Sequence, residues 1–303
     1  MSQPFAAKPF PIPVVAAGPG AHTEDETLDY LHMPQGMSTF RAPPLPEPEE
    51  LAGHEGAVAV LQQVLSAAQA LVRGEAVAPV AVQGLDAANL TLLNQLLGEG
   101  EVSAQVLTQP GDPRALQPGE AAPRVRVSVQ ESVFAGIWRV VTTADDGAVS
   151  DTIEVATVPA VLKQATREDL PFTPAKLQPP PSVQNAPMVL VELADHRQHW
   201  RPGDRPQVVN LTLLPLTVED ISFMDAQLGT GRVLILSRGY GNCRITNCCV
   251  ANTWRVVYYN SQDTVILNSV EVTDMPEVAC AAQEDLVDST ERLAEVLAWV
   301  RQG

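Results

Sequence analysis

A duplicated stretch constrains the fold of this chain more than any single motif. At a shift of 131 positions, Val58, Val77, Leu85, Leu97, Gly98, Gly100 and Val102 fall without a gap on Val189, Val208, Leu216, Leu228, Gly229, Gly231 and Val233. At a shift of 116, Trp138-Arg139-Val140-Val141 falls on Trp254-Arg255-Val256-Val257, and at 117 Val155 and Pro159 fall on Val272 and Pro276. The shrinking offset places one insertion in the first copy, inside Thr108 to Pro123, where Pro and Gly cluster as they do in surface loops.

Each copy reads as the same series of elements. In the first, Pro48, Glu49 and Glu50 suit the opening turn of a helix that carries Val60, Leu61, Val64, Leu65, Ala68, Leu71 and Val72 at helical spacing. A strand over 77–82 follows, then a helix over 86–97 that Gly98 stops, then strands over 102–107, 125–129, 136–143 and 152–155. The second copy starts a helix at Asn185 and Pro187. It continues with a strand over 208–213, a helix over 218–228 stopped by Gly229, and strands over 233–237, 243–246, 254–259 and 265–272. A helix over 284–300 ends the chain.

The expected fold class is therefore α+β: an internal duplication of a helix-strand-helix-antiparallel sheet unit, pseudo-twofold, with a C-terminal helix. Residues 1–50 form a proline-rich extended arm and 51–170 the first repeat. Residues 171–187 form a proline-rich linker stiffened by Pro179-Pro180-Pro181, and 188–303 the second repeat. Periodicity leaves open whether the copies share one sheet or touch through helices.

Charge narrows the partners. The chain has 36 acidic residues against 19 basic ones and a formal net charge of −17. Such a surface repels nucleic acid and anionic lipid, and suits either a cationic partner or simple solubility. No run approaches the roughly 18 apolar residues of a membrane span. Met1 to Phe5 lacks the basic segment and apolar run of an export signal, so a cytoplasmic location without membrane insertion is expected.

The strongest local anomaly is Ser237-Arg238-Gly239-Tyr240-Gly241-Asn242-Cys243-Arg244, followed by Cys248-Cys249. All four cysteines, including Cys280, lie in the second copy, and reduced thiols are expected. Adjacent residues of a strand face opposite ways, so Cys248 and Cys249 cannot both aim at Cys243. No Cys-x-x-Cys pair exists, and a four-ligand metal site would have to recruit Cys280 or a histidine. Buried thiols, metal ligation and redox contact with a partner all remain open. His196 and His199 share a helix side, as part of a site or as a polar surface.

No nucleophile turn, phosphate loop or dinucleotide fingerprint is present. Gly98-Glu99-Gly100 is matched by Gly229-Thr230-Gly231 at the same helix-to-strand corner, which makes both structural. With acidic residues dispersed along the chain, no acid–base pair stands out. Neither an enzyme nor a cofactor is expected. Trp138 and Trp254 should point inward, with Arg139 and Arg255 outward by alternation. Tyr240, Tyr258 and Tyr259 make the second copy the better binding face, since large aromatics and arginine are favoured anchors.

Several elements occur in order along nearly the full length: Ile12-Pro13-Val14 through Gly18-Pro19-Gly20, Met33-Pro34-Gln35-Gly36-Met37, Leu236 through Arg244, Asn252-Thr253-Trp254, Tyr259-Asn260, Glu271-Val272 and Pro276. In this combination the chain resembles the hydrogenase expression/formation family called HupH, HyaF or HoxQ, accessory proteins of membrane-bound nickel–iron uptake hydrogenases. The resemblance implies a cytoplasmic chaperone for the iron–sulfur small-subunit precursor, held before twin-arginine export until assembly is complete. It also implies work beside a thioredoxin-like accessory protein of the HyaE or HoxO type. Arg238, Tyr240, Cys243 and Arg244 are the expected partner contacts, with Trp254 supporting them from the adjoining strand. The alternatives are an iron–sulfur or metal delivery scaffold, using Cys243 with Cys248 or Cys249 and Cys280, and a purely structural adaptor.

Overall fold

The first helix, α1 (Glu55–Val72), sets Ala57, Val60, Leu61, Val64 and Ala68 on one side, the stripe that a core-facing helix requires. By length and hydropathy α1 could cross a membrane, but its apolar side is taken up in a core cluster. A two-residue strand, β1 (Val80–Ala81), leads to α2 (Ala87–Leu97). Asp86 caps α2 by accepting the Asn89 N–H at 2.8 Å. Strands β2 (Val102–Leu107), β3 (Val125–Glu131), β4 (Ile137–Thr143) and β5 (Val149–Val155) follow, and then a helix absent from the sequence expectation, α3 (Ala160–Glu168). This computed structural model describes residues 53–109, 124–170, 177–239 and 241–300. The arm over 1–50, most of the insertion and Tyr240 lie outside the described residues.

The second half runs α4 (Ala186–His199), β6 (Gln207–Asn210), α5 (Val218–Leu228), β7 (Val233–Ser237), β8 (Asn242–Asn247), β9 (Thr253–Tyr259), β10 (Val265–Val272) and α6 (Gln283–Val300). The strand expected over 208–213 stops at Asn210 and gives way to a 3-10 turn over Leu211–Leu213. Its cause is local: the Asn210 side chain accepts the Thr212 N–H at 3.0 Å, which competes with the strand ladder.

All ten strands join one antiparallel sheet, in the order β1-β5-β4-β3-β2-β7-β8-β9-β10-β6. The question left open by periodicity is thereby answered, because β2 pairs with β7 across the middle. Val102 stands opposite Ser237, Ala104 opposite Ile235 and Val106 opposite Val233. At the centre of this seam Ala104 faces the residue 131 positions further on, the shift of the sequence repeat.

One face of the sheet carries the central cluster. Ala104, Val129, Ile235, Ile245 and Val256 meet there with Trp138 and Trp254, each tryptophan only 1% exposed. Leu162 and Ala165 of α3 and Met275 and Ala279 pack onto it. The inward tryptophans expected from alternation are both found, and the Trp138 indole N–H donates to the Ala156 carbonyl at 2.8 Å.

The opposite face bears two separate helical layers. Helices α1, α2 and α6 bury Val80, Ile137, Ile153 and Val155 on β1, β4 and β5. Helices α4 and α5 bury Val209 of β6 and Val270 and Val272 of β10. Although α6 follows the second half in sequence, Leu286, Leu293, Leu297 and Val300 pack with α1 over the first. At the two glycine corners the backbone closes on its neighbour: Gly100 N–H donates to the Glu131 carbonyl at 2.7 Å, and Gly231 N–H to the Asn247 carbonyl at 2.8 Å. A side chain at Gly100 would run into the Ser132 carbonyl and one at Gly231 into the Asn247 amide, so both glycines serve the fold.

Candidate binding face

Among the described residues the two helical clusters lie over the outer strands of this face, and the stretch of β2, β3, β7 and β8 between them is called the trough below. Strict alternation decides what reaches its floor. On β2 these are Ser103 and Gln105, paired with Gln130 and Ser128 of β3; on β7 they are Leu234 and Leu236, paired with Thr246 and Arg244 of β8. Ser128 is exposed, Leu234 is buried and the others are half-buried. The floor is therefore a mixed polar and apolar surface.

The outward arginines form its walls. The Arg139 guanidinium donates to Asp151 at 2.9 and 2.6 Å and also to the Asn94 side chain on α2. On the other wall Arg255 donates to Asp225 of α5 at 3.1 Å. Both residues thus lash a helix to the sheet beside the trough, which gives the repeated Trp-Arg-Val-Val a structural reason: tryptophan into the central core, arginine to the helix on the far face.

The loop that stands out in the sequence closes one end of the trough. Since Val102 lies opposite Ser237, the turn from β7 to β8 sits where β2 begins. There the Arg238 N–H donates to the Glu101 carbonyl at 3.1 Å, and the Glu101 carboxylate lies against Gly239, so that a larger residue there would displace it. At the other end β2 stops at Leu107 and β3 begins at Val125.

The five expected partner contacts are divided by the plane of the sheet. Arg238 is exposed at the loop and Arg244 lies half-buried on the trough floor. Cys243 and Trp254, by contrast, point into the central cluster and are 3% and 1% exposed. Tyr240 lies outside the described residues. The trough floor itself escapes a reading of the sequence, because Ser, Gln and Thr carry no chemical signature; two strands with polar residues at every other position are the one signal of it.

The cysteines are scattered and quiet. Cys243 lies in the central cluster, while Cys248 belongs to the cluster under α4 and α5 on the opposite face. Burial pushes Cys243 up to about 12, although its hydrogen bond with Tyr258 opposes the shift. Burial likewise raises Cys248 to about 12, and Cys249 and Cys280 to about 11. No group of three or more His, Cys, Asp or Glu side chains is placed to hold a metal ion among the described residues. His199 lies 3.3 Å from Asp195 on the exposed side of α4. Because the thiolate is the reactive form, a thiol reagent at pH 8 should leave all four cysteines unmodified for many minutes and modify all four in denaturant. Rapid reaction of Cys243 in the native protein would show that β8 opens.

The region that contains α4, the loop and α6 has known counterparts. A family model described as the HupH hydrogenase expression protein, C-terminal conserved region, matches residues 183–300. The hydrogenase expression/formation protein HoxQ of Cupriavidus necator is 52% identical over 295 residues, covering 96% of this chain and 98% of that one. The hydrogenase expression/formation protein HupH of Rhodobacter capsulatus is 43% identical over 296 residues, with 96% and 98% covered. A solved structure, the hydrogenase expression protein HupH from Thiobacillus denitrificans, aligns over 38% of this chain and 95% of its own at 26% identity, with a TM-score of 0.36. The family model covers the half that carries the loop, and the full-length likenesses extend through the half that completes the sheet: the chain belongs to the HupH and HoxQ family of hydrogenase expression/formation proteins.

Proposed function

We propose that the protein is a non-catalytic maturation chaperone. In this reading it binds the iron–sulfur small-subunit precursor of a nickel–iron hydrogenase in the cytoplasm before twin-arginine export, and holds it until assembly is complete. A thioredoxin-like accessory protein of the HyaE or HoxO type acts beside it. The observation that carries the reading is the near full-length identity to HoxQ of C. necator, named for hydrogenase expression and formation. The sheet face that the described helices leave between them, which ends at the Arg238 loop, offers a place for a protein client. Arg238, Tyr240 and Arg244 would touch it, while Cys243 and Trp254 support the strands from behind. An acidic exterior attracts the arginine-bearing export segment at longer range.

The fold fits a duplication related by a pseudo-twofold axis through the β2–β7 seam, since the strand order reads the same outward from β2 as from β7. The buried cap is repeated too: Asn89 accepts the Ala57 N–H and Asp220 the Ala186 N–H, at 2.8 and 2.9 Å.

Pull-down of the small-subunit precursor tests the function. Arg238→Ala combined with Arg244→Ala should lower capture about tenfold and reduce hydrogenase activity in cells. Capture and activity both equal to wild type would end this assignment of the contacts. Iron bound stoichiometrically to anaerobically purified protein would favour the delivery-scaffold reading instead.

A further inference from the structure

We propose that Glu131 works as a proton-operated latch: uncharged, it fastens the start of β2 and the start of α6 to the sheet, and ionised, it loosens both together with the stretch at Arg238. The latch is a property of the fold and does not depend on which client the protein holds. Its basis is a difference between the two halves at one corner.

At the shift of 116 that aligns Trp138 with Trp254, Glu131 corresponds to Asn247, and at 131 Glu101 corresponds to Arg232. Glu131 and Asn247 each stand opposite the repeated tryptophan across a strand pair. They also do the same backbone work. The Asn247 amide oxygen accepts the Val233 N–H at 2.9 Å, while the Glu131 carboxylate accepts the N–H of the corresponding Val102 and, at 3.3 Å, that of Gly136. An amide performs this task without charge, and the Asp169 carboxylate beside Asn247 is neutralised by Arg232.

In the first half the charges that face Glu131 are Glu101, just before β2, and Asp285 on α6, both acidic. No basic side chain pairs with Glu131 among the described residues: Arg238 meets this corner through its backbone, and Arg292 of α6 sits over the Phe134 ring, 5.4 Å from its centre. Glu131 is only 6% exposed, so a charge on it is poorly solvated. Burial pushes the carboxyl from the usual 4.5 up to about 7, with the Gly136 and Val102 N–H groups opposing the rise and Glu101 and Asp285 adding to it. In the unfolded chain the proton leaves first, so the contribution of Glu131 to stability is complete below about 4.5 and is lost as pH rises through about 7.

Two lines of contact lead outward from this carboxyl. Val102 follows Glu101, whose carbonyl accepts the Arg238 N–H at 3.1 Å and whose carboxylate lies against Gly239. Gly136, at a φ of 78°, has a methyl of Leu286 on α6 close against the place where a side chain would begin. A charge on Glu131 repels Glu101 and Asp285 at once, and so acts on both lines together.

The test uses the full-length chain alone. NMR titration of the Glu131 carboxyl should give a midpoint near 7; one in the ordinary carboxylate range overturns the latch. Amide hydrogen exchange, corrected for its intrinsic dependence on pH, should quicken at least about tenfold between pH 6 and pH 8 at Val102, Gly136 and Arg238, but not at Val270 on β10. Glu131→Gln, which is neutral at every pH, should abolish that rise, and between pH 5 and pH 8 the wild-type folding equilibrium should fall on the order of fiftyfold further than that of the variant. Glu271, a half-buried carboxyl on β10 that burial also raises, supplies the control: Glu271→Gln should keep the rise at the three amides. A midpoint near 7 without faster exchange, an equal rise in Glu131→Gln, or a rise that extends evenly over β10 would each overturn the latch. Should Glu131→Gln fail to fold, the titration and the wild-type exchange still decide.

Discussion

Asp169→Ala should destabilise the protein by roughly 3–5 kcal/mol, because it removes the buried carboxylate that pairs with the Arg232 Nε and leaves the backbone and amide donors around it without an acceptor. The Asp169 carboxylate is 2% exposed and accepts three bonds: from Arg232 Nε at 2.6 Å, from the Arg232 backbone N–H at 2.9 Å and from the Asn247 amide at 2.9 Å. Arg232 is itself only 7% exposed, and Asn247 in turn accepts the Val233 N–H at 2.9 Å. The carboxylate therefore joins the end of α3 to the start of β7 and the end of β8. Its neighbour Glu168 also reaches Arg232, at 2.7 Å, but its side chain is half-exposed. Glu168→Ala should accordingly cost less than about 1 kcal/mol. Urea unfolding of the two variants separates these outcomes; an Asp169→Ala midpoint equal to that of Glu168→Ala would mean that the buried pair does not hold α3 in place.

The second large effect belongs to Asp220, a fully buried carboxylate held by backbone donors. One oxygen accepts the N–H groups of Gln184, Asn185 and Ala186, each at 2.9 Å, and the other accepts from Thr217 N–H at 3.1 Å and its hydroxyl at 3.2 Å. Burial opposes ionisation, but these donors outweigh it and lower the carboxyl from the usual 3.8 to about 2. Asp220→Ala leaves several donors at the start of α4 and the cap of α5 without an acceptor, a loss of roughly 3 kcal/mol or more at neutral pH. The pH dependence follows from the sign. A depressed carboxyl contributes its full stability above about pH 4, and that contribution is lost as pH falls through about 2. Asp220→Asn should be tolerated far better than alanine, since Asn89 performs the related task in the first half, and it should remove this acid-limb contribution. Acid unfolding monitored for wild type and Asp220→Asn gives the comparison; identical slopes between pH 4 and 2 would contradict the assignment.

The elements governed by local pattern are legible in the amino-acid sequence. The glycine stops, the helix starting at Asn185 and Pro187, the inward tryptophans and the outward arginines all follow from periodicities of 3.6 and 2. Helix α3 is not, because its buried stripe is only Leu162 and Ala165 and Pro159 starts it without a side-chain cap. Equally hidden is the partner of α6: a stripe of Leu286, Leu293 and Leu297 announces burial, but not that the surface receiving it lies in the other half. The candidate face is half legible. A cluster compact in sequence is divided by strand alternation, which sends Cys243 into the core and Arg244 to the trough, and the same alternation is visible in the residues on either side.

The return of α6 to α1 also has a consequence during synthesis. The first core includes residues from Ala57 onward but lacks Leu286, Leu293, Leu297 and Val300 until the last helix has been made. Its remaining partner surface is then separated by more than two hundred positions of chain, a non-local closure of the kind that slows folding. One side of α1 therefore stays uncovered until α6 is available to pack on it.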